Sequence, residues 1–291
     1  MNYTLEELKK LKVNFHFNMF CNMRCNFCFY AVEVAKAKKV VNKLDDWIKI
    51  VEKLNVFKAI NFAGGEPTLY WDELKSISKR SKEVGLKTSL ITNGSLISKK
   101  EESDVLEVLR NFDTVGLSMD SSLISNNENS GRAIGGKSSL TKNDYKLIAE
   151  RIKKAGCIFK INSVIHSQNY QEKLIDFIKE LGPKRWKLMQ VTDVKQPEFI
   201  NYKITKAKFE YFIKNNSLDK PNNQFSTSIE DEETVFTSYV MIDGEGIFYD
   251  SNWATRKDAI SLLEENVDLL KEFNKCGFNL KSQLERYRKE I

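Results

Sequence analysis

The stretch "FNMFCNMRCNFCFYA", Phe17 to Ala31, holds three of the five cysteines in the chain, at Cys21, Cys25 and Cys28. The spacing is C-x3-C-x2-C, one thiol short of the four that close a structural zinc site or a four-cysteine iron–sulfur site. Three thiolates can hold a [4Fe–4S] cluster and leave one iron free. A free iron can chelate a small molecule through an amine and a carboxylate, and the methionine end of S-adenosylmethionine carries both. The competing reading is a zinc knuckle completed by a distant ligand. For that role the chain offers only His16 and His166, and His16 lies within a predicted strand.

The run "KVNFHF" that leads into the cysteines is the first of six predicted strands, Lys12–Phe17, Ala59–Ala63, Lys87–Thr92, Thr114–Met119, Ile158–Val164 and Arg185–Val191. Amphipathic stretches alternate with them. Leu44, Trp47, Ile48, Val51 and Leu54 recur at helical spacing; Leu74, Ile77 and Val84 do so more loosely, with Gly85 placed to cap. Further helices fit Glu101–Leu109, Thr141–Ala155 and Tyr170–Leu181. Strand-then-helix units in series imply a parallel sheet with right-handed crossovers. Six of them give an α/β fold, a partial (βα)6 TIM-like barrel. Chemistry in such folds gathers on the loops after the strands, where the cysteines fall. The expected organisation is an N-terminal extension over 1–10, the partial barrel over 11–191 and a C-terminal extension over 192–291 that closes the site. In the last segment, Ser238–Ile242 and Gly246–Asp250 read as a hairpin through "DGEG". The Ser-, Asn- and Gly-rich region Ser121–Lys137 reads as a long functional loop.

Composition sets outer bounds. With 46 basic and 40 acidic residues, the net charge of +6 is mild and dispersed, which fits an anionic small ligand or a lysine-rich surface. There is no dense basic tract that would point to nucleic acid. No apolar run is long enough for a membrane span, and the N-terminus does not read as a secretory signal. Cys157 and Cys276 complete the cysteine set, which is no disulfide framework, so the expected location is a reducing cytoplasm.

A second motif, "NFAGGEP" over Asn61–Pro67, closes the second strand beside the cysteine loop. Gly64 and Gly65 permit close backbone approach to a ligand, and Glu66 can accept from an ammonium. On strands five and six, "FKINSV" puts Lys160, Asn162 and Val164 on one face, and "RWKLM" puts Arg185 and Lys187 on one face. Buried parallel strands usually read as continuous apolar runs, and interior charges need partners. Three cations on neighbouring strands therefore suggest an anion such as a polyphosphate, with Arg185 suited to bidentate contact. Outward faces or strand ends are the alternative for these cations.

The cysteine spacing with Phe27 before the last thiol, followed by "GGEP", resembles the radical S-adenosylmethionine superfamily. The ordered set "CNMRCNFCFYA", "INFAGGEP", "TNGSLI", "LSMDS", "FKINSVI" and "RWKLMQ", with a weaker "SYVMID", resembles the viperin family of antiviral radical enzymes. That resemblance implies a [4Fe–4S] cluster on Cys21, Cys25 and Cys28, and S-adenosylmethionine at Gly64, Gly65, Glu66, Asn93, Ser118, Asn162 and Gln190. It implies a nucleoside triphosphate substrate, CTP or UTP by analogy, with Lys160, Arg185, Lys187 and Arg132 at the phosphates and Asn14 and Tyr239 at the nucleoside. The implied reaction removes hydrogen from C4′ and the 3′-hydroxyl as water, giving a chain-terminating 3′-deoxy-3′,4′-didehydro nucleotide. Tyr239 or Tyr30 is a candidate proton relay, and "SGRAIGGK" a loop covering the substrate. An electron donor such as flavodoxin or ferredoxin, and a monomeric enzyme, are also implied.

The departures are specific. Ala59 stands where viperins carry a lysine, with Lys58 one residue off and so on the opposite strand face. Ala63 replaces a serine. The amphipathic membrane helix of animal viperins and their tryptophan-ended tail find no match, and this chain ends "LERYRKEI". These features point to a microbial, stand-alone relative. Two rivals stay open: a radical enzyme acting on a peptide or RNA, and a non-catalytic nucleotide or iron–sulfur binding module.

Overall fold

The computed structural model describes residues 3–29, 43–192, 201–218, 224–231, 238–249, 258–281 and 283. Tyr30, one of the two proposed proton relays, lies outside them.

The six expected strands form, as β1 (Lys12–Asn18), β2 (Ala59–Gly64), β3 (Lys87–Thr92), β4 (Thr114–Ser118), β5 (Ile158–Ile165) and β6 (Arg185–Gln190). The region after them adds β7 (Ser226–Glu230), β8 (Val240–Asp243) and β9 (Phe248–Tyr249). All nine belong to one sheet ordered β7-β6-β5-β4-β3-β2-β1-β8-β9, parallel except for the β8–β9 hairpin. The C-terminal hairpin expected from "DGEG" is present, and it extends the sheet beyond β1. β7, by contrast, was not legible: "STSIE" carries one aliphatic residue in five and gives no strand signal by itself.

The helices follow their apolar stripes. They are α1 (Leu5–Leu8), α2 (Leu44–Lys53), α3 (Trp71–Glu83), α4 (Glu102–Leu109), α5 (Ile124–Asn129), α6 (Lys142–Lys154), α7 (Ile175–Leu181), α8 (Lys206–Asn215) and α9 (Leu269–Asn274). A capping box between Thr141 and Asp144 starts α6, and Gly182 in the left-handed region ends α7. α7 begins later than the expected Tyr170. Residues 166–172 instead make tight turns around Asn169, and the Glu172 carboxylate accepts from the Ser122 N–H and hydroxyl, both at 2.8 Å. Ser121–Lys137 is likewise no open loop. It carries α5, then pairs with the cysteine loop through Arg24 N–H to Gly131 O at 3.1 Å and Asn26 N–H to Ser130 O at 3.0 Å. Both segments have backbone donors that need partners, and each supplies the other's.

Strand parity divides the sheet into two faces. Val13, Phe15, Phe17, Ile60, Phe62, Leu90, Val115, Leu117, Phe159, Ile161, Trp186 and Leu188 are all buried in the main apolar core with the helices. The alternate residues are mostly polar, among them Asn14, His16 and Asn18 on β1, Asn61 on β2, Ser89 on β3, Ser118 on β4, Lys160 and Asn162 on β5, Arg185 and Lys187 on β6, Ser228 and Glu230 on β7. β7 and β8 stand seven strand steps apart in the sheet order, which in a flat sheet is roughly 33 Å at about 4.8 Å per step. Yet the hydroxyl of Tyr239, one residue before β8, donates to Glu230 of β7 at 2.7 Å. The sheet therefore curls until its far strands meet, with the polar face concave.

Candidate active site

The cysteine loop leaves β1 under tight restraint. Phe17 packs edge-on against Trp47 and Tyr70, at 4.9 and 6.0 Å between ring centroids, and Trp47 Nε1 donates to Gly244 O at 3.2 Å. Aromatic pairs of this geometry contribute about 0.5–1.5 kcal/mol each beyond area burial. The two glycines of "AGGEP" then press against the loop backbone. A Cβ at Gly64 would lie 2.1 Å from Asn18 O, and one at Gly65 would lie 2.2 Å from Phe20 O. Gly65 N–H donates to Asn18 O at 2.8 Å and Glu66 N–H to Phe20 O at 2.9 Å. Gly131 is used in the same way from the other side, its Cβ position 2.1 Å from Arg24 O. Glycine here buys backbone contact on both flanks of the cysteines.

Glu66 is buried and accepts four hydrogen bonds: from Thr68 N at 3.0 Å, Thr68 Oγ1 at 2.5 Å, Thr92 Oγ1 at 2.6 Å and Asn93 N at 2.7 Å. Burial raises its pKa while these donors oppose the shift. Asn93 continues the chain of contacts. Its Nδ2 donates to Asn22 Oδ1 at 2.9 Å and lies 4.0 Å from Cys21 Sγ. The loops after β1, β2 and β3 thus form one hydrogen-bonded unit.

All three cysteine side chains are half-buried, and none is in a disulfide among the described residues. Burial pushes the Cys21 thiol up to about 12, with the Glu66 carboxylate adding to the effect. Burial also raises Cys25, against which the Arg132 guanidinium acts. Thiolates in this setting need a bound cation to exist, because coordination deprotonates a thiol outright. Among the described residues no three His, Cys, Asp or Glu side chains converge on one metal ion. Cys21, Cys25 and Cys28, on one loop after β1, are the residues that would hold a [4Fe–4S] cluster. His16 is occupied elsewhere, hydrogen-bonded to the Tyr249 hydroxyl and held neutral by burial, its pKa near 3. His166 accepts from Gln168 N at 3.2 Å and stacks on Phe27 at 4.6 Å.

The concave face carries buried polar atoms with no hydrogen-bond partner among the described residues: both amide atoms of Asn18, three residues before Cys21, and Asn162 Oδ1 on β5. Orphaned groups of this kind are costly unless a ligand satisfies them. Asn162 lies beside Ser118 in register, one strand over. Together with the glycine cradle they fit a polar cofactor such as S-adenosylmethionine. Gln190 is placed differently: it has the parity of Trp186 and Leu188, and its Nε2 donates to Ile204 O at 3.2 Å.

Deeper in the same concavity lie the cations. Lys160 is paired in register with Arg185, and Asn162 with Lys187. Lys187 Nζ donates to the Tyr239 hydroxyl at 2.6 Å, bridges to Glu230 at 2.6 Å and sits 5.3 Å from the Tyr239 ring centroid. Tyr239 packs against the buried Met241–Tyr249 pair, against which Met19, Cys21 and Cys28 also pack, so it shares that apolar pair with the cysteine loop while bonding to the cation group. Lys160 is half-buried, and its pKa falls well below the ordinary lysine value, through desolvation first and then the charges of Lys187 and Lys12. Asn14, on β1, accepts from Asn61 Nδ2 at 2.9 Å and donates to Val240 O at 3.0 Å. Lys58 is exposed and Ala59 faces inward, with Lys12 its register partner on β1. Lys12 thus supplies a cation beside the position where the resemblance expects one.

Arg132 stands apart from that group. It is buried, ion-paired with Asp120, and stacked over Phe27 at 5.4 Å. Asp120 also accepts from Val164 N at 2.8 Å. Lys12, Glu230 and Asp120 escaped the sequence reading. Lys12 shares parity with Asn14 and was accessible to a stricter reading of β1, whereas Glu230 required knowledge of β7.

The family model of the Radical SAM superfamily matches residues 16–181. A curated relative from Lacinutrix mariniflava, an S-adenosylmethionine-dependent nucleotide dehydratase, is 35% identical over 272 residues, 90% of this chain and 55% of that protein. The chain thus spans about half of that relative's length. One of the same name from Flammeovirga pacifica is 30% identical over 94% of this chain and 93% of its own length. The RSAD2 dehydratase of Oncorhynchus mykiss is 28% identical over 94% of this chain and 78% of that protein. Among solved structures, Streptococcus suis SuiB bound to S-adenosylmethionine superposes with a TM-score of 0.67 at 19% identity, covering 91% of this chain and 65% of SuiB. The anSMEcpe structure with bound AdoMet and a peptide gives 0.65 at 18% identity, covering 95% and 82%. These two speak for the fold alone. The glycine cradle, the clustered thiols and the orphaned amides agree with the sequence match: the chain belongs to the radical SAM superfamily, whose cofactors are a [4Fe–4S] cluster and S-adenosylmethionine, and within it to the viperin-like S-adenosylmethionine-dependent nucleotide dehydratases.

Proposed function

We propose that the protein converts a nucleoside triphosphate, CTP or UTP, to its 3′-deoxy-3′,4′-didehydro analogue, and that the product serves antiviral defence by terminating polymerase chains. When bound, the cluster and S-adenosylmethionine supply a 5′-deoxyadenosyl radical. The observation that carries the reading is the polar concave face, on which Lys160, Arg185 and Lys187 form one cation group, and Tyr239, bonded to Lys187, packs on the same Met241–Tyr249 pair as Cys21 and Cys28. A polyphosphate tail held by these cations would leave its sugar toward the cysteine loop.

In this reading Cys21, Cys25 and Cys28 hold the cluster. Gly64, Gly65, Glu66, Asn93, Ser118 and Asn162 hold S-adenosylmethionine, Glu66 by fixing the loops after β2 and β3; Gln190, on the opposite strand parity and engaged with Ile204 O, is left out of the set. Asn14 and Tyr239 orient the nucleoside, and the Tyr239 hydroxyl carries the proton that leaves with the 3′-hydroxyl as water. One electron from a flavodoxin- or ferredoxin-like donor completes the dehydration. Arg132 reaches the phosphates only by leaving Asp120. The enzyme acts as a monomer in the cytoplasm; among the described residues no helix is long and apolar enough to cross a membrane.

The test is anaerobic reconstitution with S-adenosylmethionine, reductant and each of CTP, UTP, GTP and ATP. The expected result is 5′-deoxyadenosine and a nucleotide lighter by one water with CTP or UTP. Formation of 5′-deoxyadenosine with none of the four above background sinks the assignment.

A further inference from the structure

Glu230 is a buried carboxylate placed among cations. Its two oxygens are engaged by Lys187 Nζ at 2.6 Å and the Tyr239 hydroxyl at 2.7 Å, and the lysine in turn donates to that hydroxyl at 2.6 Å. The Lys187 and Glu230 side chains are 12% and 5% exposed, so the three groups form a closed, nearly dry ring. Lys160, in register with Arg185, feels the charge of Glu230 together with those of Lys187, Lys12 and Arg185. The carboxylate therefore sits where a group of four cations would otherwise hold an external anion. A phosphate reaching Lys187 with Glu230 still in place would put two anions against one ammonium in a low-dielectric site, where like charges a few ångströms apart repel strongly.

We infer that Glu230 is the resident anion of the phosphate seat, and that a polyphosphate enters by exchange with it at Lys187. A singly charged ligand replaces the carboxylate like for like and gains little. A triphosphate brings enough charge to take Lys187 and engage Lys160, Arg185 and Lys12 as well. Glu230 thereby sets the charge a ligand must carry, and Tyr239, released from the carboxylate, becomes free to turn toward the sugar. The inference rests on the nucleotide reading for its biological meaning, but its test does not need a nucleoside.

The experiment is isothermal titration of the full-chain, cluster-loaded protein with inorganic tripolyphosphate in magnesium-free buffer, comparing wild type, Glu230→Gln and Glu230→Ala. Glutamine keeps the shape and removes the charge; alanine guards against an effect special to the amide. Both variants bind tripolyphosphate about tenfold or more tightly than wild type, given the strength of charge interactions at a partly buried site. Tighter binding is a change that structural damage does not produce. Unchanged or weaker binding in both variants makes Glu230 a plain structural partner of Lys187 and overturns the inference. Should tripolyphosphate binding tighten while CTP and UTP give no turnover, the exchange stands and the substrate assignment fails.

Discussion

Replacing Asp120 with asparagine tests the buried pair that braces the cysteine loop. The Arg132 and Asp120 side chains are 10% and 1% exposed, and the arginine also stacks on Phe27, the residue before Cys28. Removing one partner of a buried ion pair costs about 3–5 kcal/mol, because the other charge is left uncompensated. Asparagine keeps an acceptor for the Val164 N–H, which the aspartate holds at 2.8 Å. The loss therefore falls at the lower end, about 3 kcal/mol. For a domain of this size that is a fall in Tm of roughly 6–10 °C, readable by calorimetry or circular dichroism. The converse variant, Arg132→Met, strands the carboxylate, whose pKa burial raises. A folded-state pKa above the unfolded value means stability is retained at low pH and lost as pH rises through the folded value. Arg132→Met is thus closer to wild type near pH 4 than at pH 7. A Tm change below about 2 °C for Asp120→Asn, less than 1 kcal/mol on this scale, refutes the reasoning that the pair is buried and bracing.

Other expectations follow from the same geometry. Lys160 has a depressed pKa in the free protein, so binding a polyphosphate raises it and takes up protons; titrations in two buffers of different ionisation enthalpy should show uptake, and affinity should weaken with rising pH above the depressed value. Zero net proton uptake across that window contradicts it. Gly65→Ala forces a methyl to 2.2 Å from Phe20 O, and since backbone cannot yield cheaply, the cost is about 1–3 kcal/mol; iron bound per chain after reconstitution should fall together with Tm. Cys25→Ala removes a thiol without leaving a buried charge, so the variant should melt within a few degrees of wild type while losing most of its iron and sulfide. Full iron content in that variant would show that the cluster is not held there.

The chemistry was legible because it is local. Three thiols within eight residues and a glycine pair after the next strand are constrained by backbone reach, and a chain must write such constraints contiguously. The strands were legible for a similar reason: parallel strands covered by helices need one continuous apolar parity, which Phe15, Phe62, Leu90, Leu117, Ile161 and Leu188 supply. Less visible was anything built from residues distant in sequence. Arg132 looked like a phosphate ligand in a glycine-rich loop, and only the packing shows its guanidinium committed to Asp120. Glu66 looked free to meet an ammonium, yet Thr68, Thr92 and Asn93 engage it.

The amino-acid sequence by itself determined the family, the cysteine loop, the α/β alternation and the alignment of cations along β5 and β6, since each depends on spacing and side-chain type. Tertiary structure alone decided which strand face is concave, that Lys12 stands beside Ala59, and that Glu230 and Tyr239 meet Lys187 from opposite ends of the sheet. Strand parity names two faces without distinguishing them; the curl of the sheet and the packing of helices choose between them, because burying the apolar parity leaves the polar one to line the cavity.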